Sequence, residues 1–199
     1  MSQEIDECGT CQCGIIKFHV SGDILVNALC HCKTCCYNRG MTPIHIIVVM
    51  PYKIDITHGK EWTTEYVVED TKVTHVFCSQ CGVMVYQTPK SKGYITILPT
   101  NFHMENEGDG DGVCILPDEY MPSMHMNYRR RHYDSSDQLP KFVTWPPNDF
   151  YPDEGMCDNE GNSIRNGETA KVDSLIDKYE VLARIEDCAS SNEDVSSNA

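Results

Sequence analysis

Seven of the 12 cysteines in this chain fall into three tight clusters. They are Cys11-Gln12-Cys13-Gly14, Cys30-His31-Cys32-Lys33-Thr34-Cys35 and Cys78-Ser79-Gln80-Cys81-Gly82. The outer clusters hold two thiols each and the middle one holds three. Four thiolates close a tetrahedral zinc site, whereas three leave a position open for water or a substrate. The spacing therefore predicts two metal centres of different character in one chain.

A Cys-x-x-Cys-Gly turn is a compact metal grip, because glycine tolerates the positive φ such a turn needs. Cys78 to Gly82 has this form. Cys11 and Cys13 are expected to face one side by strand geometry, since residues two apart on a strand do so. Neither pair closes a four-ligand site alone. Together Cys11, Cys13, Cys78 and Cys81 would make a structural zinc whose binding energy is also folding energy. Cys30, Cys32 and Cys35 lie close enough for one loop to bind a second zinc, with a net charge of −1 and a vacancy that suits a soft thiolate. Such a metal would lower the pKa of a bound thiol. His31 lies inside this cluster but points away from its neighbours in an extended Cys-His-Cys run. Cys36 is read as a bystander, because adjacent side chains seldom reach one metal. Cys8, Cys114, Cys157 and Cys188 stand alone as free thiols.

The elements that must position these residues read as short strands. Candidates are Ile15–Val20, Ile24–Leu29, Ile44–Met50, Trp62–Val68, Val73–Phe77, Val83–Gln87, Tyr94–Leu98 and, more weakly, Met124–Tyr128. Short strands punctuated by Gly, Pro and polar turns predict an all-β domain. Glu107, Asp109, Asp111, Gly112 and Asp118 resemble a calcium loop. The end residues are wrong for one and no flanking helices are evident, so the reading is a solvated loop. Residues 146–167 read as a polar linker. In 168–188 Val172, Leu175, Ile176, Tyr179 and Leu182 form an apolar stripe at helical spacing. That helix would pack on its own domain or support a homodimer. Residues 189–199 are expected to be disordered.

Hydrophobic residues make up 40% of the 199, enough for a core, and the net charge is −14. From Pro146 to Ala199 there are 13 acidic and 4 basic residues, so −9 of that charge sits in the last quarter. The acidic balance opposes nucleic-acid binding. No run approaches the roughly 18 apolar residues of a membrane helix, and Met1–Glu7 lacks a signal-peptide core. A cytoplasmic location is expected. In that reducing compartment clustered cysteines bind metal or do chemistry rather than form disulfides.

The order and spacing of the three clusters, with Phe77 before the last, resemble the glutathione-dependent formaldehyde-activating enzyme family, which also includes centromere protein V. His125-Met126 and Leu139-Pro140-Lys141-Phe142 are similar to later family features, so the resemblance spans residues 8–145. It implies a β-tent of short antiparallel sheets and two zinc ions. Cys11, Cys13, Cys78 and Cys81 would be the structural ligands, and Cys30, Cys32 and Cys35 the catalytic ones. It also implies chemistry on thiol adducts, with glutathione the usual thiol. The chain departs from the family pattern at Cys36-Tyr37, at Thr74-His75-Val76 and after Leu98. The metal framework is kept while the expected pocket wall changes, which favours a substrate other than S-hydroxymethylglutathione, such as a larger adduct from specialised metabolism.

The leading expectation is a zinc-dependent enzyme acting on a thiol or glutathione adduct of a small molecule, as a carbon–sulfur lyase or in the reverse addition. The alternatives are a zinc-dependent isomerase or cyclase without thiol dependence, and a non-catalytic zinc module that binds a macromolecular partner. By residue type His31, His45, His103, His125, Tyr37 and Tyr94 are the acid–base candidates, with His31 placed beside the catalytic cysteines. Tyr37, His103, Arg129 and Arg131 are the candidates for holding substrate. Arg129-Arg130-Arg131 suits carboxylates.

Overall fold

The structure is a computed structural model that describes residues 3–69, 71–89, 93–102 and 116–146, with three short strands beyond. The predicted all-β architecture is what it contains. Its axis is a pair of long antiparallel strands, β2 (Lys17–Cys30) and β3 (Ile44–His58). They pair from Lys17 opposite His58 to Cys30 opposite Ile44. The sequence reading divided β2 into two strands, and the division marks something physical. Gly22 pairs with Tyr52, Ile24 with Val49 and Val26 with Val48, so β3 carries one extra residue before Ile24 and β2 one extra residue after it. A slip of one residue moves side chains to the opposite face.

This switch lets one strand serve two cores. Phe18 and Val20 of β2 pack with Ile47 and Val49 of β3 on one side. Val26, Ala28 and Cys30 pack with Ile44, Ile46 and Val48 on the other. The apolar run Ile44–Val49 does not alternate with polar residues because both of its faces are covered. Each such Ile or Val stabilises the fold by about 1.5–3 kcal/mol through burial.

Along the outer edge of β2, β1 (Gln3–Thr10) pairs antiparallel with Lys17–Ile24. Leu29 and Cys30 then pair parallel with β8 (His125–Met126). On the far side of β3 the order is β7 (Ile95–Ile97), β6 (Met84–Pro89), β5 (Val73–Cys78) and β4 (Thr63–Val68). Sequence reading missed β1. Only Ile5 and Gly9 of its eight residues are buried, and Glu4, Asp6 and Glu7 give it the polarity of an edge.

The helix among the described residues, α1 (Lys33–Arg39), follows the second cysteine of the middle cluster. Cys32 caps it, Sγ accepting from the Cys35 N–H at 3.4 Å, and Gly40 ends it in the left-handed conformation at φ 64°. Among the described residues no helix is long and apolar enough to cross a membrane.

The sheet continues past residue 145. β9 (Lys141–Phe142) pairs with β10 (Met156–Cys157), then β11 (Ser163–Arg165) and β12 (Glu168–Ala170) follow. Two of these strands lie in the segment read as a linker. The third occupies the first residues of the expected helix. The rest of that helix, residues 171–188, the tail 189–199 and positions 103–115 of the calcium-like loop lie outside the described residues.

Candidate metal centres and the adjoining cavity

Cys11, Cys13, Cys78 and Cys81 converge with all four Sγ atoms within 4.8 Å of one another. The separations Cys11–Cys13 at 3.4 Å and Cys13–Cys78 at 3.8 Å are near the roughly 3.8 Å that tetrahedral Zn–S bonds of about 2.3 Å impose. Two turns of the same pattern deliver them. In one, Gly14 N–H donates to Cys11 O at 2.9 Å and Cys11 N–H to Ile16 O at 3.1 Å. In the other, Gly82 N–H donates to Cys78 O at 2.8 Å and Cys78 N–H to Val83 O at 2.9 Å. Gly14 and Gly82 have φ of 76° and 72°, a conformation that costs other residues energy. Strand geometry is therefore not what aims Cys11 and Cys13. They sit on the β1–β2 turn, where the chain reverses, and that reversal brings their sulfurs together. The Ile16 N–H donates to Cys11 Sγ at 3.3 Å, a bond suited to a thiolate.

Cys30, Cys32 and Cys35 form the second convergent group, again within 4.8 Å. Among the described residues no other His, Cys, Asp or Glu brings a ligand atom to it. Its thiols shift strongly apart. The Cys32 thiol is lowered to about 3 by hydrogen bonds from Cys30 and then Cys35, helped by the Cys35 backbone N–H and the nearby Arg130. The Cys30 thiol is pushed well up, first by its contact with Cys32, then by Cys35 and by complete burial. Crowded thiols that give up one proton readily and hold the rest are a donor set a cation would complete. Asn127 Nδ2 donates to Cys30 Sγ at 3.7 Å and Gln87 Nε2 to Cys35 Sγ at 3.8 Å. Cys36 is buried beside the group but its Sγ turns to the Cys30 carbonyl. Cys8, Cys36 and the seven clustered cysteines are all free of disulfides.

His31 and His125 belong to a buried hydrogen-bonded chain behind the cluster. His31 Nε2 lies 2.8 Å from His125 Nδ1, and His125 Nε2 lies 2.9 Å from Asp137 Oδ2. Tyr128 meets both rings edge to face at 5.0 and 5.3 Å. A carboxylate only accepts, so His125 Nε2 carries a proton. With His125 neutral, its Nδ1 accepts and His31 Nε2 donates. His31 Nδ1 is then left with a lone pair, buried and without a hydrogen-bond partner. Burial, followed by the neighbouring His125, lowers the His31 pKa to about 4.

The other predicted site residues are scattered. Tyr37 is 70% exposed on α1, with Lys33 Nζ 5.4 Å from its ring. His103 lies outside the described residues. Arg129 and Arg130 are in the short 3₁₀ turn after β8. Arg131 pairs with Asp134 and sits over the Tyr128 ring. His45 Nε2 donates to Asn27 Oδ1 at 2.8 Å, while Tyr94 packs against Trp145 in the second core.

A cavity of about 320 Å³ opens beside α1. Asn38, Arg39 and His75 supply its polar wall and Tyr66, Phe77 and Met84 its apolar wall, with Gly82 at the margin. Sequence reasoning missed Arg39, His75 and Asp137 as site residues. Arg39 had a signal, one helical turn after Cys35. Asp137 had none, because it lies in an irregular segment twelve residues from its partner.

A solved crystal structure of a Rhodobacter sphaeroides protein aligns with a TM-score of 0.39 and 21% identity, over 52% of this chain and 91% of that one. A family model described as glutathione-dependent formaldehyde-activating enzyme matches residues 7–129. The match takes in all seven clustered cysteines and His125, and ends before Leu139–Phe142. It covers more than half of the chain, which therefore belongs to the glutathione-dependent formaldehyde-activating enzyme family.

Proposed function

We propose that the protein is a cytoplasmic zinc enzyme that makes or breaks a carbon–sulfur bond in a thiol adduct of a small molecule, glutathione being the first thiol to try. The observation that carries this reading is the contrast between a four-thiol group and a three-thiol group in one fold. Zinc held by Cys30, Cys32 and Cys35 would supply Lewis acidity to a thiol sulfur or its carbonyl partner. Cys11, Cys13, Cys78 and Cys81 would hold the structural ion and clamp the β1–β2 turn to the β5–β6 turn.

The chain's own residues set the conditions for that chemistry. Arg130 favours the Cys32 thiolate. Asn127 and Gln87 donate to the flanking sulfurs. His31 works from the opposite face of its strand. Its backbone N–H donates to Met126 O at 3.0 Å and its ring is bound to His125. Both contacts pin the peptide between Cys30 and Cys32 to β8, so His31 positions the cluster. Arg129 and Arg131, in and just after the turn that follows β8, remain candidates for a substrate carboxylate.

The test is cobalt substitution. A fourth sulfur ligand at the middle site should change the visible spectrum when glutathione is added. An unchanged spectrum at saturating thiol, with turnover retained, would remove direct thiol coordination and overturn the reading.

A further inference from the structure

We propose that the cavity between the end of α1 and strands β4–β6 binds a carboxylate carried on an apolar body, with Arg39 as the anion clamp. The inference rests on the thiol-adduct reading for its role: the cavity takes the half of the adduct that is not the thiol.

Arg39 is the reason for an anion. Its Nη1 donates to the Cys35 carbonyl at 3.3 Å and its Nη2 lies against the Met84 thioether, a weak acceptor. Its Nε is buried with no hydrogen-bond partner. Among the described residues no carboxylate lies within ion-pair distance of it. The Arg39 side chain lines the cavity, burial weighs against its charge, and the thiols of Cys35, Cys30 and Cys32 are the groups that offset it, so an anion in the cavity would add to that balance. The planar fork of the guanidinium fits a carboxylate with two parallel bonds.

Two neighbours sharpen the chemistry. Asn38 Nδ2 lies 3.0 Å from His75 Nε2, so with the amide donating, the His75 proton sits on Nδ1. His75 is 4% exposed, and burial lowers its pKa to about 4, so the ring is neutral near pH 7. The polar wall thus offers one fixed positive charge and neutral dipoles. Tyr66, Phe77 and Met84 opposite them suit a ring or a branched chain. The volume is at the small end of the roughly 300–1,000 Å³ range of small-molecule sites, which fits one arm of an adduct.

The placement is suited to that arm. Arg39 is one helical turn from Cys35 and is tied to its carbonyl. Gly82 at the margin follows Cys81. The cavity therefore lies between the two thiol groups and adjoins the middle one. A thiol at that group and a carboxylate on Arg39 would hold the two ends of one substrate.

The experiment uses the full-length, zinc-replete protein without thiol, so it is independent of the carbon–sulfur chemistry. Phenylacetate and its neutral isostere phenylacetamide are titrated by calorimetry, with proton NMR of the His75 and Phe77 rings locating the site. Phenylacetate should bind about tenfold or more tightly than the amide, as a charge-assisted pair replaces a neutral one. R39Q should abolish that preference with zinc content unchanged, and R39K should restore part of it. Y66A, at a side chain on the exposed face of β4, should weaken phenylacetate severalfold without changing the affinity for acetate. Equal affinity for acid and amide, a preference that survives in R39Q, or shifts confined to residues outside the cavity would each overturn the proposal. Loss of zinc in R39Q, with the preference intact in the metal-bound fraction, would assign Arg39 to the charge of the thiolates and also overturn it. A thiol-silent cobalt spectrum with phenylacetate still bound at Arg39 would instead refute the proposed reaction and leave the cavity assignment standing.

Discussion

Replacing Asp137 by Asn should invert the proton positions along the whole buried chain to His31. In the native chain the carboxylate accepts from His125 Nε2 at 2.9 Å, from the Leu139 N–H at 3.0 Å and from Lys141 Nζ at 3.4 Å. An amide has one acceptor oxygen, and Leu139 and Lys141 both need it. Its NH₂ must then face His125 Nε2, which becomes an acceptor. The His125 proton moves to Nδ1 and donates to His31 Nε2, and the His31 proton moves to Nδ1. The number of hydrogen bonds is preserved while their charge assistance is lost. Bonds to a charged group contribute about 1.5–3 kcal/mol and neutral ones about 1. Asp137 is 40% exposed, so water offsets part of the difference. D137N should cost about 1 kcal/mol. D137A should cost about 2–3 kcal/mol, because the 3%-exposed Lys141 then keeps only the carbonyls of residues 137 and 139. Urea unfolding of the zinc-replete protein measures the energies, and nitrogen-15 NMR of the imidazoles reports the tautomers. Unchanged His31 and His125 tautomers in D137N, or equal stability of D137A and wild type, would refute this account of the chain. Burial alone would raise the Asp137 pKa, but the bonds from His125 and Leu139 and the charge of Lys141 outweigh it and hold it below the usual range. Its contribution is therefore present above the unfolded carboxyl pKa of about 4 and is lost as the pH falls through the lower folded value.

The two thiol groups should respond differently to loss of a ligand. C78S should be metal-poor and largely unfolded, since Cys78 sits in the first core and its cluster joins turns 65 residues apart. C32A should lose one zinc equivalent and activity but keep its circular dichroism, at a cost of about 1 kcal/mol for the lost helix cap; equal unfolding of the two variants would make both clusters structural. His45, held neutral by burial with a pKa lowered to about 4, binds fewer protons folded than unfolded between pH 6.5 and 4. Its share of stability therefore falls as the pH drops through that window. H45Q should be about 1 kcal/mol less acid-sensitive than wild type between pH 7 and 5, compared by urea unfolding, after discounting for the half-buried ring.

The parts of this molecule visible in the sequence are those whose cause is local. The apolar run Ile44–Val49, broken only by His45, announces a strand buried on both faces, and Cys78-x-x-Cys81-Gly82 announces a turn, because its glycine and thiols act within five residues. The three sulfurs of the middle cluster are equally local, but sequence reading treats the helix α1 that carries Cys35 as a loop. What sequence reading missed depends on partners far along the chain. β1 is a strand only because β2 offers it an edge, and its acidic residues give no period-two apolar signal. Asp137 gains its role from a histidine that a parallel pairing with Leu29 brings behind His31.

The bulged strand β2 explains why one small fold can keep its two thiol groups distinct. Before the register shift at Ile24–Val26, its inward side chains join the core that contains Cys11 and Cys78; after it, they join the core that contains Cys30 and Cys35. The four-thiol group can then be rigid, closing a long loop in the first core. The three-thiol group is built locally in the second, from the end of β2, the short helix α1 and the parallel pairing with β8. A regular β2 would put Cys30 on the face of Phe18 and Val20, against the wrong core. The paired bulges in β2 and β3 are therefore as necessary to the second site as the cysteines they place there.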